Sequence, residues 1–235
     1  MALAIQITGT PGSGKTFSLK SLVAKFPNEV YYINADRKPM PWAGWRSVFS
    51  EARKNYVETS DIPTIFNYLK GISEKRPDIK ICVVDTINTM MSDKEMKERK
   101  IKGFDKWQEM AGGIYDGYGI IPDLRDDLCV IFMAHTESFE EDGETHYRTK
   151  LNGQKLTKLN LNSKISYNLY TKVEYTGDTP EYFFITQSNG RTEARSTYGV
   201  LDYKMPNDLG EVISRIRKYD FGITEQTNDS TEKKS

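Results

Sequence analysis

The chain has 235 residues, with 33 basic and 33 acidic side chains that cancel. Apolar residues make up 37% and 17 glycines add to them, enough to bury a core and exclude wholesale disorder; the length fits one large domain, or one domain with a small extension. Zero net charge excludes a protein that coats nucleic acid by bulk electrostatics, so any such contact must come from a local patch.

In chain order, Leu3–Thr8 reads as an apolar strand. It lacks basic flanks and falls well short of the roughly 18 residues of a membrane span, so neither a signal peptide nor a membrane partner is expected. Lys15–Phe26 carries a helical stripe of Phe17, Leu19, Leu22, Val23 and Phe26. Glu29–Asn34 is a second strand, and Trp45–Lys54 can be a helix. Asp61 caps a helix running to about Lys75, with Pro63 in its first turn. Ile79–Val84 is nearly all apolar, as a strand buried on both faces must be. Lys106–Asp127 reads as helical, weakened by Gly112, Gly113, Gly117 and Gly119 and breakable at Pro122. Leu128–Ala134 is the fourth buried strand. Alternating strands and helices give an α/β fold with a mainly parallel central sheet. Cys82 and Cys129 lie in apolar runs without Cys or His at ligand spacing, which reads as reduced thiols and a cytoplasmic chain.

The second half changes character. Glu137–Lys164 has no buried strand and many charges. Leu169–Tyr175 and Tyr182–Thr186 read as C-terminal antiparallel strands, followed by the turn Ser188-Asn189-Gly190. Asp208 caps a last helix, Leu209–Tyr219. Thr224–Ser235 has no aliphatic or aromatic side chain to bury and reads as a disordered tail, which leaves 1–223 as the folded domain.

Gly9-Thr10-Pro11-Gly12-Ser13-Gly14-Lys15-Thr16 fits G-x-x-x-x-G-K-[ST] at every fixed position, between a strand and a helix. Glycines let backbone N–H groups turn inward around phosphate oxygens, and the helix N-terminus adds its positive dipole end. Lys15 neutralises the β- and γ-phosphates and the Thr16 hydroxyl ligates Mg²⁺. Asp85, ending the strand Ile81-Cys82-Val83-Val84, is the second Mg²⁺ residue. Thr86 follows it, so a catalytic carboxylate must lie elsewhere or be missing. Asp36 and Glu137 are the candidates, Asp36 ranked first. His135 ends the strand Val130–Ala134 and can hydrogen-bond the γ-phosphate or the attacking water. No Asn-Lys-x-Asp guanine motif is visible, which favours ATP.

The phosphate loop, Tyr32-Ile33-Asn34-Ala35-Asp36, Val83-Val84-Asp85-Thr86 and Ile131-Phe132-Met133-Ala134-His135 together resemble the RecA-like P-loop ATPase core. With Asp105-Lys106-Trp107 and Phe132–Glu137, the chain resembles the small phage-encoded AAA-type nucleotide-binding proteins, which include Sak-type single-strand annealing recombinases. The resemblance covers roughly residues 1–220 and implies a RecA-like fold and ATP-dependent work on single-stranded DNA in recombination, annealing or replication. It also implies a homo-oligomer, a single-strand-binding protein as a further partner, and the host cytoplasm. Asp36 stands where the family carries a catalytic Glu, which puts the hydrolysis rate in doubt.

Two segments are candidate DNA contacts. Lys97, Arg99, Lys100 and Lys102 follow the Mg²⁺ strand, where an ion-paired solvated helix is the competing reading. Arg148, Lys150, Lys155 and Lys158 form the basic half of Glu137–Lys164, where the alternative is an exposed hairpin. Arg191 and Arg195, four apart on a strand face, are candidates to reach a neighbour's γ-phosphate. A nucleoside or nucleotide kinase, and a nucleotide-dependent interaction protein that hydrolyses little, remain open alternatives.

Overall fold

The computed structural model describes residues 1–100, 105–152 and 161–222, with the backbone alone for 105–107. Strand β1 (Leu3–Gly9) leads through the phosphate loop and a 3₁₀ turn, Thr16–Ser18, into α1 (Leu19–Lys25). Then come β2 (Val30–Asn34), α2 (Trp45–Val48), β3 (Tyr56–Val57), α3 (Ile62–Lys75) and β4 (Ile81–Asp85). Helices α4 (Ile87–Lys97) and α5 (Asp105–Gly119) precede β5 (Cys129–Glu141) and β6 (Glu144–Thr149). The chain continues with β7 (Tyr167–Thr176), β8 (Thr179–Ile185), β9 (Lys204–Pro206) and α6 (Leu209–Phe221).

The sheet order is β3-β2-β4-β5-β1-β7-β8-β9, with β6 paired to the outer half of β5. From β3 to β7 every pairing is parallel; β8 and β9 add antiparallel strands. This is the mainly parallel α/β sheet with C-terminal antiparallel strands that the sequence leads one to expect. Alternation on the buried strands sends side chains to opposite faces. Val130 and Phe132 pack under α3, α4 and α5, while Ile131 and Met133 pack under α1 and α6. Both faces are covered, which is why these strands read as continuous apolar runs. Cys82 and Cys129 are buried on opposite faces as free thiols, both pushed up in pKa by burial.

Local signals set several boundaries. The Asp61 carboxylate accepts from Thr64 N at 3.2 Å, and Asp208 from Glu211 N at 2.9 Å, each starting its helix. Two expectations need correction, and one open alternative is decided. Trp45–Lys54 is helical for one turn only: Phe49 turns extended, and the Asn55 side chain closes the following loop on Ser50 N and Val48 O. Its aromatics are spent on two strand tyrosines: Phe49 lies 5.2 Å from Tyr32 and Trp45 6.0 Å from Tyr56 between ring centroids. The long helix ends at Gly119, with Pro122 inside a separate 3₁₀ turn. Glu137–Lys164, over its described part, has no buried strand, as expected, and begins with the exposed hairpin of the alternative reading: β5 runs past the core to Glu141 and returns as β6. Lys102, Lys155, Lys158 and the tail from Thr224 lie outside the described residues.

The glycines in α5 are not equivalent. At Gly117 a Cβ would sit inside the Phe66 ring of α3, so this glycine permits the close approach of the two helices; at Gly112 a Cβ would meet nothing within 4 Å among the described residues. Gly117→Ala should destabilise the fold by roughly 1–3 kcal/mol through overpacking. Gly112→Ala should stabilise it by up to about 1 kcal/mol through helix propensity. Urea denaturation of the two variants checks this; equal effects would contradict it.

Candidate functional site

The C-terminal ends of β1, β2, β4 and β5 lie side by side, because the parallel register pairs Gly9 with His135 and Asn34 with Asp85. The polar residues that end these strands therefore meet along one edge, the usual place for a ligand in an open α/β sheet.

The phosphate loop is clamped from the β7 side. The Ser13 and Thr171 hydroxyls are 2.6 Å apart in a hydrogen bond, and Thr171 Oγ1 donates to Thr8 O at 3.0 Å. A Cβ on Gly9, at φ +155°, would collide with Thr171 Oγ1 and sit 2.6 Å from Ser13 Oγ. Lys15 is buried and folded onto its own loop, donating from Nζ to Gly9 O and Thr10 O, both at 2.8 Å. Burial lowers its pKa to about 8 against the opposing pull of Asp85 and Asp36.

Asp85 is buried at the end of β4. Its Oδ2 accepts from Thr16 Oγ1 at 2.8 Å and from Tyr32 Oη at 3.1 Å; its Oδ1 has no partner among the described residues. Burial raises the carboxyl to about 6, and the Asp36 charge adds to it, outweighing the Thr16, Tyr32 and Lys15 contributions. Asp36 follows β2, with its backbone N donating to Asp85 O at 3.1 Å. Its Oδ1 accepts from Thr86 at 3.0 Å and from Thr89, and its Oδ2 from the exposed Lys38 at 3.2 Å. Burial alone would raise this carboxyl, but those hydrogen bonds hold it below the ordinary carboxylate range. Asp36 is thus ionised and weakly basic, with one lone pair of Oδ2 left for a water.

His135 is half-buried, its Nδ1 without a hydrogen-bond partner among the described residues. Burial and the Lys15 charge push its pKa below the usual histidine value, so the imidazole is neutral at pH 7. Its backbone is fixed by Asn88, whose Oδ1 accepts from His135 N at 2.7 Å and whose Nδ2 donates to Lys150 O at 2.8 Å. Lys150 N donates back to His135 O at 2.8 Å. Pro11, Asn88, His135, Thr136 and Lys150 line a cavity of about 610 Å³ beside the loop.

The other candidates are placed differently. Glu137 sits on the hairpin stem and accepts from Arg148 Nε at 2.8 Å, so these two engage each other. Lys97 lies 3.9 Å from Asp61, Arg99 donates to Met96 O at 2.9 Å, and Lys100 is exposed. The described part of this segment is thus the ion-paired helix end, with Lys94 also 2.6 Å from Glu98. Arg191 and Arg195 lie in irregular chain, not on a strand face. Arg191 pairs with Glu144 at 2.6 Å, and Arg195 donates to the carbonyls of Asn162 and Ile165. Tyr32, Asn88, Thr89 and Thr171 are site residues that sequence reasoning missed. Tyr32 reads as one more strand aromatic, and the other three carry no local motif.

The donor set fits Mg²⁺. Asp85 and the Thr16 hydroxyl are adjacent, Asp85 Oδ1 is unspent, and no cluster of three His, Cys, Asp or Glu exists among the described residues. That suits an ion that keeps its waters and takes substrate phosphates rather than an all-protein cage.

A raised carboxyl binds its proton more tightly folded than unfolded. Asp85 therefore contributes stability below pH 3.8 that is lost as pH rises through about 6. In the nucleotide-free chain Asp85→Asn should melt later than the parent at pH 7, by roughly 1–3 kcal/mol. The gap should close towards pH 4. Thermal melts across that range check this; a gap independent of pH would contradict the burial.

Among the described residues no helix is long and apolar enough to cross a membrane. No curated protein matches the chain. A KaiC-like protein of the hyperthermophilic archaeon Pyrococcus horikoshii OT3 superposes with a TM-score of 0.50 at 11% identity, covering 86% of this chain and 83% of that one. This is a likeness of fold, and the fold is RecA-like. A family model described as an AAA domain matches residues 1–198. With the phosphate loop, the Asp85–Thr16 pair and this match over most of its length, the chain belongs to the AAA domain family of P-loop ATPases.

Proposed function

We propose that this protein hydrolyses ATP and uses the γ-phosphate to control its grip on single-stranded DNA, acting as a homo-oligomer. Phage recombination, annealing or replication is the setting this reading fits. The observation that carries it is the Asn88 amide, which ties the backbone of His135, beside the loop, to that of Lys150, the basic residue just past β6. A shift of His135 on γ-phosphate binding or loss would move Lys150 with it. The chain has zero net charge, so DNA affinity must come from such a local basic surface.

The chemistry assigned to the residues is as follows. The loop amides from Gly9 to Thr16 cradle the phosphates, and Lys15 leaves its loop carbonyls to meet the β,γ-oxygens. Thr16 and Asp85 would hold Mg²⁺, which when bound neutralises charge on the β- and γ-phosphates. Asp36 Oδ2 orients the attacking water, and the neutral His135 hydrogen-bonds the γ-phosphate or that water. With so weak a base, the rate rests on positioning and charge stabilisation more than on proton abstraction.

Asp36→Asn should leave ATP binding intact and lower kcat by roughly 10²-fold or more, while Glu137→Gln changes kcat little. Phosphate release assays with bound-nucleotide controls check this, and the reverse ranking would overturn the assignment of Asp36. Fluorescence anisotropy on a labelled oligonucleotide tests the DNA reading. Affinity should rise with a slowly hydrolysed ATP analogue and fall with salt. In Asn88→Ala the analogue should still bind without raising DNA affinity. Absence of DNA binding in both nucleotide states would overturn the reading, as would phosphate transfer to nucleoside monophosphates, the kinase alternative.

A further inference from the structure

Two buried polar atoms at the phosphate loop take no part in the chemistry above. They are Nδ2 and Oδ1 of Asn207, and neither has a hydrogen-bond partner among the described residues. Burying an amide without partners is costly, so an orphan of this kind asks for a ligand.

The sheet places Asn207 where a nucleoside would lie. Asp85, Asp36 and His135 come from β4, β2 and β5, all on one side of β1. They mark the end of the loop that takes the γ-phosphate. Strands β7, β8 and β9 lie on the other side of β1. A triphosphate held across the loop therefore points its nucleoside towards β8 and β9. Phe184 of β8 and Met205 of β9 are paired and packed in the core under α1 and α6. Past the edge of that core, two residues before Phe184 and two after Met205, come Tyr182 and Asn207, side by side because the strands are antiparallel. Asn207 N donates to Tyr182 O at 3.1 Å, so the two side chains sit together.

They sit against the loop itself. A Cβ on Gly14, at φ +93°, would lie 2.8 Å from Tyr182 Cδ1 and 3.2 Å from Asn207 Nδ2. Phe17, in the 3₁₀ turn after the loop, has its ring 6.5 Å from that of Tyr182, and both rings are exposed by more than a third. Two aromatic faces and one unpartnered amide thus converge on the nucleoside side of the phosphate cradle. Aromatic faces accept any base by stacking; an amide chooses between bases. An amide oxygen accepts and its nitrogen donates, which matches the exocyclic amine and N7 of adenine. Guanine presents two acceptors on the same edge.

We propose that Asn207 reads adenine, with the Tyr182 and Phe17 rings against the base, and so makes this ATPase selective for ATP over GTP. The inference rests on the reading of the loop as an ATP site. Tyr182 and the buried amide both lie against Gly14, so for a base to reach the amide the ring must turn outward.

Calorimetric titration with ATP, GTP and inorganic tripolyphosphate, each with Mg²⁺, separates the two. The parent should bind ATP about tenfold or more tightly than GTP. Asn207→Leu should bring ATP down to the GTP level and leave tripolyphosphate binding unchanged. Asn207→Ala, which removes the amide without adding a charge beside the phosphates, should do the same. A parent that prefers GTP, or an ATP preference that survives in either variant, would overturn the proposal. So would variants that lose tripolyphosphate together with ATP, because the amide would then be holding the loop and not the base. Failure of the parent to bind tripolyphosphate and ATP alike would instead sink the loop reading itself.

Discussion

Asp85 ends the central strand β4 in a buried position with one carboxylate oxygen satisfied and the other not. A half-satisfied buried carboxylate costs stability, and the surrounding structure is arranged to hold it there. Tyr32 reaches it from the neighbouring strand and Thr16 from the turn that opens α1. Asp36 packs beside it and is kept ionised by Thr86 and Thr89 from the start of α4. The two carboxylates repel, which raises Asp85 further, and the only buried cation close by, Lys15 among the described residues, is turned towards its own loop carbonyls. The protein groups alone thus leave Asp85 short of positive charge and hold a lysine partly neutralised by burial. A magnesium–triphosphate complex supplies what both lack: a cation for the carboxylate and an anion for the ammonium.

The sheet gives this charge pattern a direction. Strands on one side of β1 carry the acidic and imidazole groups suited to the γ-phosphate. Strands on the other side carry Thr171, which clamps the loop, and then Tyr182 and Asn207. On the proposed reading, chemistry and recognition are separated by the strand that carries the phosphate loop. The antiparallel addition at β8 and β9 therefore does more than cover the sheet edge, since it brings chain from beyond residue 180 against the Gly14 end of the loop. The hairpin of β5 and β6 performs the corresponding service on the other side, carrying Lys150 to within one amide of His135.

Much of this was legible in the sequence because it is local. The phosphate loop is a contiguous motif, and Asp36, Asp85 and His135 each end an apolar run long enough to name as a strand. The caps Asp61 and Asp208 announce their helices in the same way. What could not be read depends on contacts across the fold. Asn88 acts because helix α4 passes over the end of β5, and Thr171 because β7 lies beside β1. The pairing of Glu137 with Arg148 follows from hairpin register, which charge alternation alone does not fix. Gly117, which looked like a helix breaker, is required by the Phe66 ring of a helix more than forty residues earlier in the chain. Arg195, which looked free to act on a neighbour, is spent on two carbonyls of its own chain.

The most direct test of the account is the proton balance of nucleotide binding. At pH 8 Lys15, held at about 8 by burial, is partly neutral, while His135 is neutral and Asp85 ionised. Phosphate oxygens brought against Lys15 restore its charge. Titration of Mg²⁺–ATP at pH 8 in buffers of different ionisation heat should therefore show uptake of about half a proton per nucleotide, absent in Lys15→Met. Binding with no uptake, or with release, would contradict the picture of a buried lysine waiting on its own loop for the phosphates.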